Sequence, residues 1–271
     1  MSGGQQLRGA TVLVTGGGNG IGRLMALGAA ARGARVVVWD LSTERAERVR
    51  DEIGDTARAF TVDVSDPDAV RAVATETGAI DVLINNAGVV SGQRLLDATD
   101  DGIRRTFGVN VLALFWVTRA FLPGMVERRR GTVVTIASAA GLIGVARQTD
   151  YSASKHAAVG FDESLRAELR TMRTPVRTMV VCPYYIDTGM FAGVQSRFPW
   201  LLPILKEQKV ADAVLDGVER GRRRVVLPPL VGLVPTLRIL PVPVFDRAAD
   251  LLGVNQSMAH FTGRPGDVVG R

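Results

Sequence analysis

Within its first forty residues the chain carries the pattern that most restricts its fold. Ala10-Thr-Val-Leu-Val14 reads as a buried strand, and Thr15-Gly-Gly-Gly-Asn-Gly-Ile-Gly22 follows at once. Arg23 to Arg32 is Ala/Leu-rich and helical in composition, and Gly33 closes it as a helix stop. Arg35-Val-Val-Val-Trp39 is a second strand, ending at Asp40. Strand, glycine turn, helix and strand within about thirty residues, with an acid twenty positions after Gly20, match the dinucleotide-binding unit. The glycines allow a tight turn and close backbone approach, and the helix N-terminus offers free N–H groups to a pyrophosphate. Asp40 is placed to accept hydrogen bonds from the adenosine ribose hydroxyls.

The alternation continues. A charged helix over Thr43 to Ile53, its charges a solvated face, leads to strand Ala59-Phe-Thr-Val62 and Asp63. Asp66-Pro67 is a good start for the next helix. Strand Asp81-Val-Leu-Ile84 enters Asn85-Asn-Ala-Gly88, and a long helix is predicted over about Asp101 to Arg128. Strand Gly131 to Ala137, a helix from Tyr151 to about Thr171 and strand Val176 to Val181 complete six strand–helix alternations. The pattern predicts an α/β fold, a doubly wound parallel sheet. Ligands of such sheets bind beyond the carboxyl ends of the strands, where Gly16, Asp40, Asp63, Asn86, Ser138 and Pro183 all fall.

One further constellation carries chemistry. Tyr151 and Lys155, four apart, lie on one helix face, so a phenol and an ammonium can face one ligand. A nearby positive charge favours the phenolate, lowering its pKa from ~10, and a tyrosine so tuned can exchange a proton near neutrality. Ser138, at the end of the Gly131–Ala137 strand, can hold the oxygen on which Tyr151 acts.

Composition narrows the function classes. The chain has 271 residues, 46% of them hydrophobic, enough for one α/β domain with a large core. Cys182 is the single cysteine, so an internal disulfide is impossible, and two separated histidines, His156 and His260, give no metal site. His156 is expected to pack or to sit at an interface. The net charge is +6, yet of 33 basic residues only Lys155, Lys206 and Lys209 are lysine. Scattered arginines with few aromatics between them do not suit a nucleic-acid surface. Against that bias, a lysine at 155 points to a job that a planar guanidinium fills badly. Met1 to Gln6 reads as no signal peptide, and Leu227 to Val244, with five prolines and Arg238, reads as a poor membrane span.

With these motifs in order, residues 7 to 225 resemble the short-chain dehydrogenase/reductase family. Thr15, Gly16, Gly20 and Gly22 match its Thr-Gly-x-x-x-Gly-x-Gly turn, Asp63-Val64 its adenine-contacting pair, and Asn86-Ala-Gly88 its sheet-steadying segment. Asn110, Ser138, Tyr151 and Lys155 match its catalytic tetrad. Pro183-Tyr-Tyr-Ile-Asp-Thr188 departs from the family's Pro-Gly-x-x-x-Thr at Tyr184. Together these readings place cofactor contacts at Gly16, Gly18, Asn19, Gly20, Ile21, Gly22, Asp40, Leu41, Asp63, Val64, Asn86, Ala87 and Gly88. Asn110, Tyr151, Lys155, Pro183, Ile186 and Thr188 complete that set, and Ser138, Tyr151, Tyr185 and Met190 are the expected substrate contacts. The resemblance also implies that Asn110 holds a water joining Lys155 to bulk solvent.

The stretches Asp150–Leu165, Cys182–Phe191, Gly253–Met258 and Phe261–Arg264 are similar to the retinol and 17β-hydroxysteroid dehydrogenase branch, NAD-linked enzymes of lipid alcohols. The chain is expected to lack the N-terminal membrane anchor that those animal enzymes carry. The resemblance implies an NAD-dependent enzyme of a hydrophobic alcohol or ketone, forming a homodimer or homotetramer through its two long helices, and the expected location is cytoplasmic or peripheral to a membrane. A carbonyl reductase using NADPH, a nucleotide-sugar epimerase and a non-catalytic NAD sensor are weighed beside it. Asn19 and Asp40, where NADPH wants a basic residue, oppose the first, and the glycine spacing and short C-terminal part oppose the second. The complete tetrad opposes the third. Residues 1–227 are expected to form the catalytic domain, with an apolar substrate lid over about 184–205. Residues 228–271 form an extension that packs on the same domain or a neighbour, or rests weakly on a membrane surface.

Overall fold

The computed structural model describes residues 4–263, so Arg264 and the end of the expected extension lie outside the described residues. Seven parallel strands form one sheet in the order β3-β2-β1-β4-β5-β6-β7. They are β1 Thr11–Thr15, β2 Arg35–Asp40, β3 Ala57–Thr61, β4 Val82–Asn85, β5 Thr132–Ile136, β6 Arg177–Pro183 and β7 Arg224–Leu227. Side chains alternate across the sheet with period two. Val12, Val14, Val36, Val38, Val82, Ile84 and Val134 therefore share one core with Met25 and Ala29 of α1 (Gly20–Ala31) and Val214 and Leu215 of α7 (Glu207–Glu219). Leu13, Val37, Trp39, Leu83 and Val133 face the other core. There they meet Val117, Phe121 and Met125 of α5 (Ala113–Glu127) and Leu165 and Leu169 of α6 (Thr149–Thr171). Each such fully buried side chain contributes about 1.5–3 kcal/mol. The chain is one α/β domain, doubly wound, as the alternation predicts.

Local chemistry sets the boundaries. The Asn19 side chain caps α1, Ser42 caps α2 (Thr43–Ile53) and Asp66 caps α3 (Pro67–Thr77), the last with proline in the first turn. The predicted helix over Asp101 to Arg128 is not one regular helix. It divides into α4 (Asp100–Phe107), a wide π-helical turn over Gly108–Leu112, and α5. A π turn accommodates one extra residue, and here it buries Asn110. Over Asp100–Glu127 the stretch is long and apolar enough to cross a membrane, a different segment from Leu227–Val244. Its Leu114, Val117, Phe121 and Met125 are buried in the protein's own cores.

The proline-rich tail is more regular than its composition suggests. It forms a short 3-10 helix over Pro229–Leu233, then α8 (Val234–Leu237), α9 (Val242–Leu251) and a 3-10 turn over Val254–Gln256. Pro229, Pro235 and Pro243 each stand in the first turn of one of these pieces, where no backbone N–H is required. The prolines start short helices and prevent a long one.

Candidate active site

At the carboxyl ends of the strands the glycine turn folds back on itself. Gly16 has φ +61°, and a Cβ there would come within 2.9 Å of the Ala87 backbone. A Cβ on Gly22 would lie 2.1 Å from the Gly16 carbonyl oxygen, so only glycine permits this approach. Asn86 locks the turn to β4, since its Nδ2 donates to the carbonyls of Thr15 and Gly16 at 3.0 and 3.1 Å. The Thr15 hydroxyl in turn accepts from the Asn86 and Ala87 N–H groups. Asp40 closes the far side: Oδ2 accepts from Gly18 N at 2.9 Å and Oδ1 from Ser42 N at 3.0 Å.

These elements bound a cleft of about 380 Å³. Gly16, Asn19, Gly20, Ile21, Gly22, Asp40, Leu41, Asp63, Val64, Asn86, Ala87 and Gly88 line it, with Tyr151, Lys155, Pro183, Ile186 and Thr188 at its inner end. Two of the expected contacts stand behind the wall. Gly18 turns its N–H to Asp40, and Asn110 holds a neighbouring loop. Two basic residues that sequence reasoning missed, Arg45 and Arg105, also line the cleft. Arg45 stands in the first turn of α2, close enough to Asp40 that both would meet a Cβ on Gly18. Its distance from Asp40 in sequence, one loop and a helix start away, hid it.

At the inner end, Ser138 follows β5 and Tyr151 lies in the first turn of α6. Both Tyr151 and Lys155 are buried. Lys155 Nζ donates to the Ile136 carbonyl at 3.0 Å and lies 5.7 Å from the Tyr151 ring centre. Gly88 lies beside it, a Cβ there falling 3.5 Å from Nζ, in ordinary contact. Burial holds Lys155 down at about 8. Burial also pushes the Tyr151 phenol above its ordinary value, and Ser138, facing the hydroxyl, offsets part of that rise. The lowering expected from Lys155 is therefore not the direction found, because desolvation of the buried phenol is the largest influence on it.

Asn110 is buried in the π turn nearby. Its Nδ2 donates to Val89 O at 2.9 Å and to Ser154 Oγ at 3.0 Å, and its Oδ1 accepts from Val89 N at 2.8 Å. The side chain thus pins the loop after β4 to α6. Asp150 makes a second tie beside it, accepting from Ser91 Oγ and Thr106 Oγ1, each at 2.9 Å.

A second cavity, about 260 Å³, opens on the other side of Ser138 and Tyr151. Its walls are Ile143, Val145, Leu201 and Leu202, and the tail residues Leu230, Val231, Leu237, Leu240, Phe245 and Leu252. Tyr184, where the family pattern has glycine, stands with Phe191 between the two cavities and lines both. Phe191 packs edge-on against Tyr151 and Tyr185, with ring centres 5.8 and 5.2 Å apart. Tyr185 lines the apolar cavity, whereas Met190, expected beside the substrate, lines the cleft. The loop 184–205 is pinned at its base by the Ile186–Leu205 bridge and to the tail by Gln195 N to Ser257 O and Thr262 N to Ala192 O. His156 packs, as expected: its Nδ1 lies 2.8 Å from Ser152 O and its Nε2 3.4 Å from Arg238 of the tail. Cys182 is fully buried. No cluster suited to a metal ion occurs among the described residues.

Comparison with known proteins agrees with this geometry. Residues 10–197 match the short chain dehydrogenase family profile. The chain is 39% identical to epidermal retinol dehydrogenase 2 of Mus musculus over 274 residues, 96% of this chain and 87% of that one. It is 35% identical to 17-beta-hydroxysteroid dehydrogenase 13 of Mus musculus over 237 residues, 84% of this chain and 77% of that one. Among solved structures, a short chain dehydrogenase/reductase from Burkholderia phymatum in complex with NAD superposes with a TM-score of 0.79 at 26% identity. That match covers 87% of this chain and 94% of the other. A turn shaped for close approach, a buried Tyr/Lys pair beside Ser138 and matches of this extent leave one assignment: the chain belongs to the short chain dehydrogenase family and is an oxidoreductase acting on CH–OH donors.

Proposed function

We propose that this enzyme transfers a hydride between a hydrophobic secondary or allylic alcohol and NAD, with Tyr151 as general acid/base. The observation that carries the reading is the shared wall: Ser138 and Tyr151 face both the glycine-turn cleft and an apolar cavity. The cleft suits a dinucleotide. It has a close-approach turn at Gly16 and Gly22, the α1 N-terminus at Gly20 and a carboxylate at Asp40 for ribose hydroxyls. Asp63 and Val64 would hold the adenine end, and Lys155, Ile186 and Thr188 the nicotinamide end. When bound, the nicotinamide accepts or returns the hydride. Tyr151 takes the hydroxyl proton in oxidation and gives it back in reduction. Ser138 holds the substrate oxygen against the phenol, and Lys155 supplies the positive field that favours the phenolate. Asn110 and Asp150 keep the loop after β4 and the start of α6 in register, so that these groups stay aligned.

Relatives named for retinol and for a 17-beta-hydroxysteroid support a lipid alcohol as the substrate class. The aliphatic cavity walls support it independently. A cytoplasmic location peripheral to a membrane fits the exposed apolar side chains of the tail, Ile239 and Val242 foremost. Pairing of two copies through α5 and α6 fits the exposed Leu112 at the end of the π turn and Phe115 in the first turn of α5. The test is a screen of lipid alcohols by NADH appearance. Turnover of an apolar secondary alcohol, lost in Tyr151→Phe, is the expected result, and turnover that survives the substitution sinks the assignment.

A further inference from the structure

Gln148 breaks a local rule at the edge of the apolar cavity. It occupies the N-cap position of α6, where a side chain ordinarily accepts a hydrogen bond from the first helical turn, yet it makes no capping bond. The residue is 1% exposed and lines the cavity, three positions ahead of Tyr151. Its Nε2 donates to the Met258 thioether at 3.1 Å, a weak acceptor. It also faces the Tyr185 hydroxyl. That hydroxyl is already engaged with Ser257 Oγ at 2.8 Å, and Ser257 donates onward to Val254 O. A thioether satisfies an amide N–H poorly, and leucine or methionine would fill the same space without leaving a polar group weakly paired.

The other polar groups on this cavity have assignments. Ser138 and Tyr151 form the reacting pair, Tyr185 binds Ser257, and Tyr184 faces Ser196. Gln148 alone brings an amide to an otherwise aliphatic and aromatic wall, held at the cavity edge by the Met258 thioether and the Tyr185 hydroxyl. A local rule broken at a binding site is where function and not folding sets the residue.

We propose that Gln148 is a specificity-determining residue whose amide hydrogen-bonds a second oxygen of the substrate, a few bonds from the reacting carbon. The preferred substrates are then lipid alcohols or ketones with a neighbouring carbonyl or hydroxyl, rather than chains whose single oxygen is the one oxidised. This rests on the proposed alcohol oxidation at Ser138 and Tyr151 and names the substrate class of that same site. A site built around a hydrogen bond rejects the analogue that lacks it, because the protein's own polar group is then left unpaired.

The experiment compares a ten-carbon secondary alcohol with the same chain carrying a ketone two carbons from the carbinol. Initial rates with NAD give kcat/KM for wild type, Gln148→Leu and Gln148→Met. Thermal melting shows which variants are folded, and Gln148→Met, which keeps side-chain length, serves if Gln148→Leu does not fold. Wild type is expected to favour the hydroxy ketone by roughly tenfold or more, and the variants to lose roughly tenfold more on the hydroxy ketone than on the plain alcohol. Equal losses on both substrates would make Gln148 a clamp on Met258 and overturn the proposal, as would a wild type that favours the plain alcohol. Turnover of neither substrate by wild type defeats the alcohol-oxidation reading itself, which separates that failure from the failure of Gln148 alone.

Discussion

The cleft and the apolar cavity share Ser138, Tyr151, Tyr184 and Phe191, but they are made in opposite ways. The cleft is built from strand ends and the first turns after them, and its walls use backbone groups, glycines and short polar side chains. Each wall element is locked by hydrogen bonds to the next: Asp40 to Gly18, Asn86 to Thr15 and Gly16, Asn110 to Val89. The cavity instead collects aliphatic side chains from the loop after β6 and from four short pieces of the tail. A dinucleotide demands fixed donors and acceptors at fixed spacing, whereas an apolar chain demands only volume and dryness. The first region therefore tolerates little change in sequence pattern, and the second can be assembled from any segment that brings Leu, Val or Phe to the right place.

The largest effect that can break this contrast lies on the shared wall. Tyr151→Phe keeps the ring against Phe191 and removes the proton, so turnover should fall by at least ~10²-fold. Cofactor affinity, read by NADH fluorescence titration, should stay nearly constant. A large loss of affinity would mean that the phenol belongs to the cleft's binding set and not to the chemistry.

The next effect tests the cleft alone. A carboxylate at Asp40 opposes a 2′-phosphate, so NAD should be strongly preferred over NADP. Asp40→Ser should narrow the NAD/NADP ratio of kcat/KM by roughly tenfold or more, since like-charge repulsion of over 1.4 kcal/mol is removed. Two details of the structure sharpen this. The substitution also frees Gly18 N, so part of the narrowing should come as weaker NAD binding. Arg45 stands beside the site, so adding Arg45→Ala to Asp40→Ser should reverse much of the gain for NADP. Comparable efficiency with both cofactors in wild-type protein would sink the assignment of Asp40.

The contrast also explains what was legible in sequence. The strands are readable because buried parallel strands are continuous Val/Ile/Leu runs, and the cleft because its turn chemistry admits few residue types. Gly16, Gly22, Asp40, Asn86, Tyr151 and Lys155 all fall where their spacing predicts. The π turn at Gly108–Leu112 is not legible: Val, Asn and Leu carry no signal that a helix will widen there to bury Asn110. Arg45 was hidden because its place at the cleft depends on how α2 leaves the sheet edge. The cavity walls were hidden for a different reason. Leu230, Val231 and Phe245 are ordinary apolar residues, and only tertiary packing shows that they face Tyr151 rather than a core. The prolines at positions 229, 235 and 243 read as breakers, but at helix starts they are benign. Gln148 could have been found, as a glutamine placed where a helix cap should stand.

A several-fold effect separates the two directions of reaction. Burial holds the Tyr151 phenol protonated beyond its ordinary range and holds Lys155 near 8. Oxidation needs the phenol to accept a proton, so its kcat/KM should rise with pH from 6 toward about 8. Above that the curve should flatten, as Lys155 loses the charge that favours the phenolate. Reduction needs the protonated phenol and should fall over the upper part of the same range. Paired initial-rate profiles check this. An oxidation rate that is flat or highest at acid pH is incompatible with Tyr151 as the base.

The smallest expected effect concerns the outer side of the cavity wall. Ile239 is 84% exposed and Val242 71%, and neither lines the cavity, while their neighbours Leu237 and Leu240 do. One face of this turn thus closes the cavity and the other meets the surroundings, with Arg238 and Arg247 close by in sequence. If that outer face rests on lipid, an apolar alcohol can pass from membrane to cavity without crossing water. The contact should be weak, since each basic residue near an anionic leaflet contributes only ~1 kcal/mol. Truncation after Leu227 cannot pose the question, because it would remove Leu230, Val231, Leu237 and Phe245 from the cavity wall. Ile239→Asn combined with Val242→Asn leaves that wall in place. Co-sedimentation with anionic vesicles at low salt should show partial binding of wild type, roughly threefold less for the double variant, and loss of both at high salt. Turnover of a short, water-soluble alcohol should survive the substitutions. If vesicle binding is absent in both proteins while the double variant changes the mass in solution, the exposed face is covered by a second copy of the chain, and the lipid route fails.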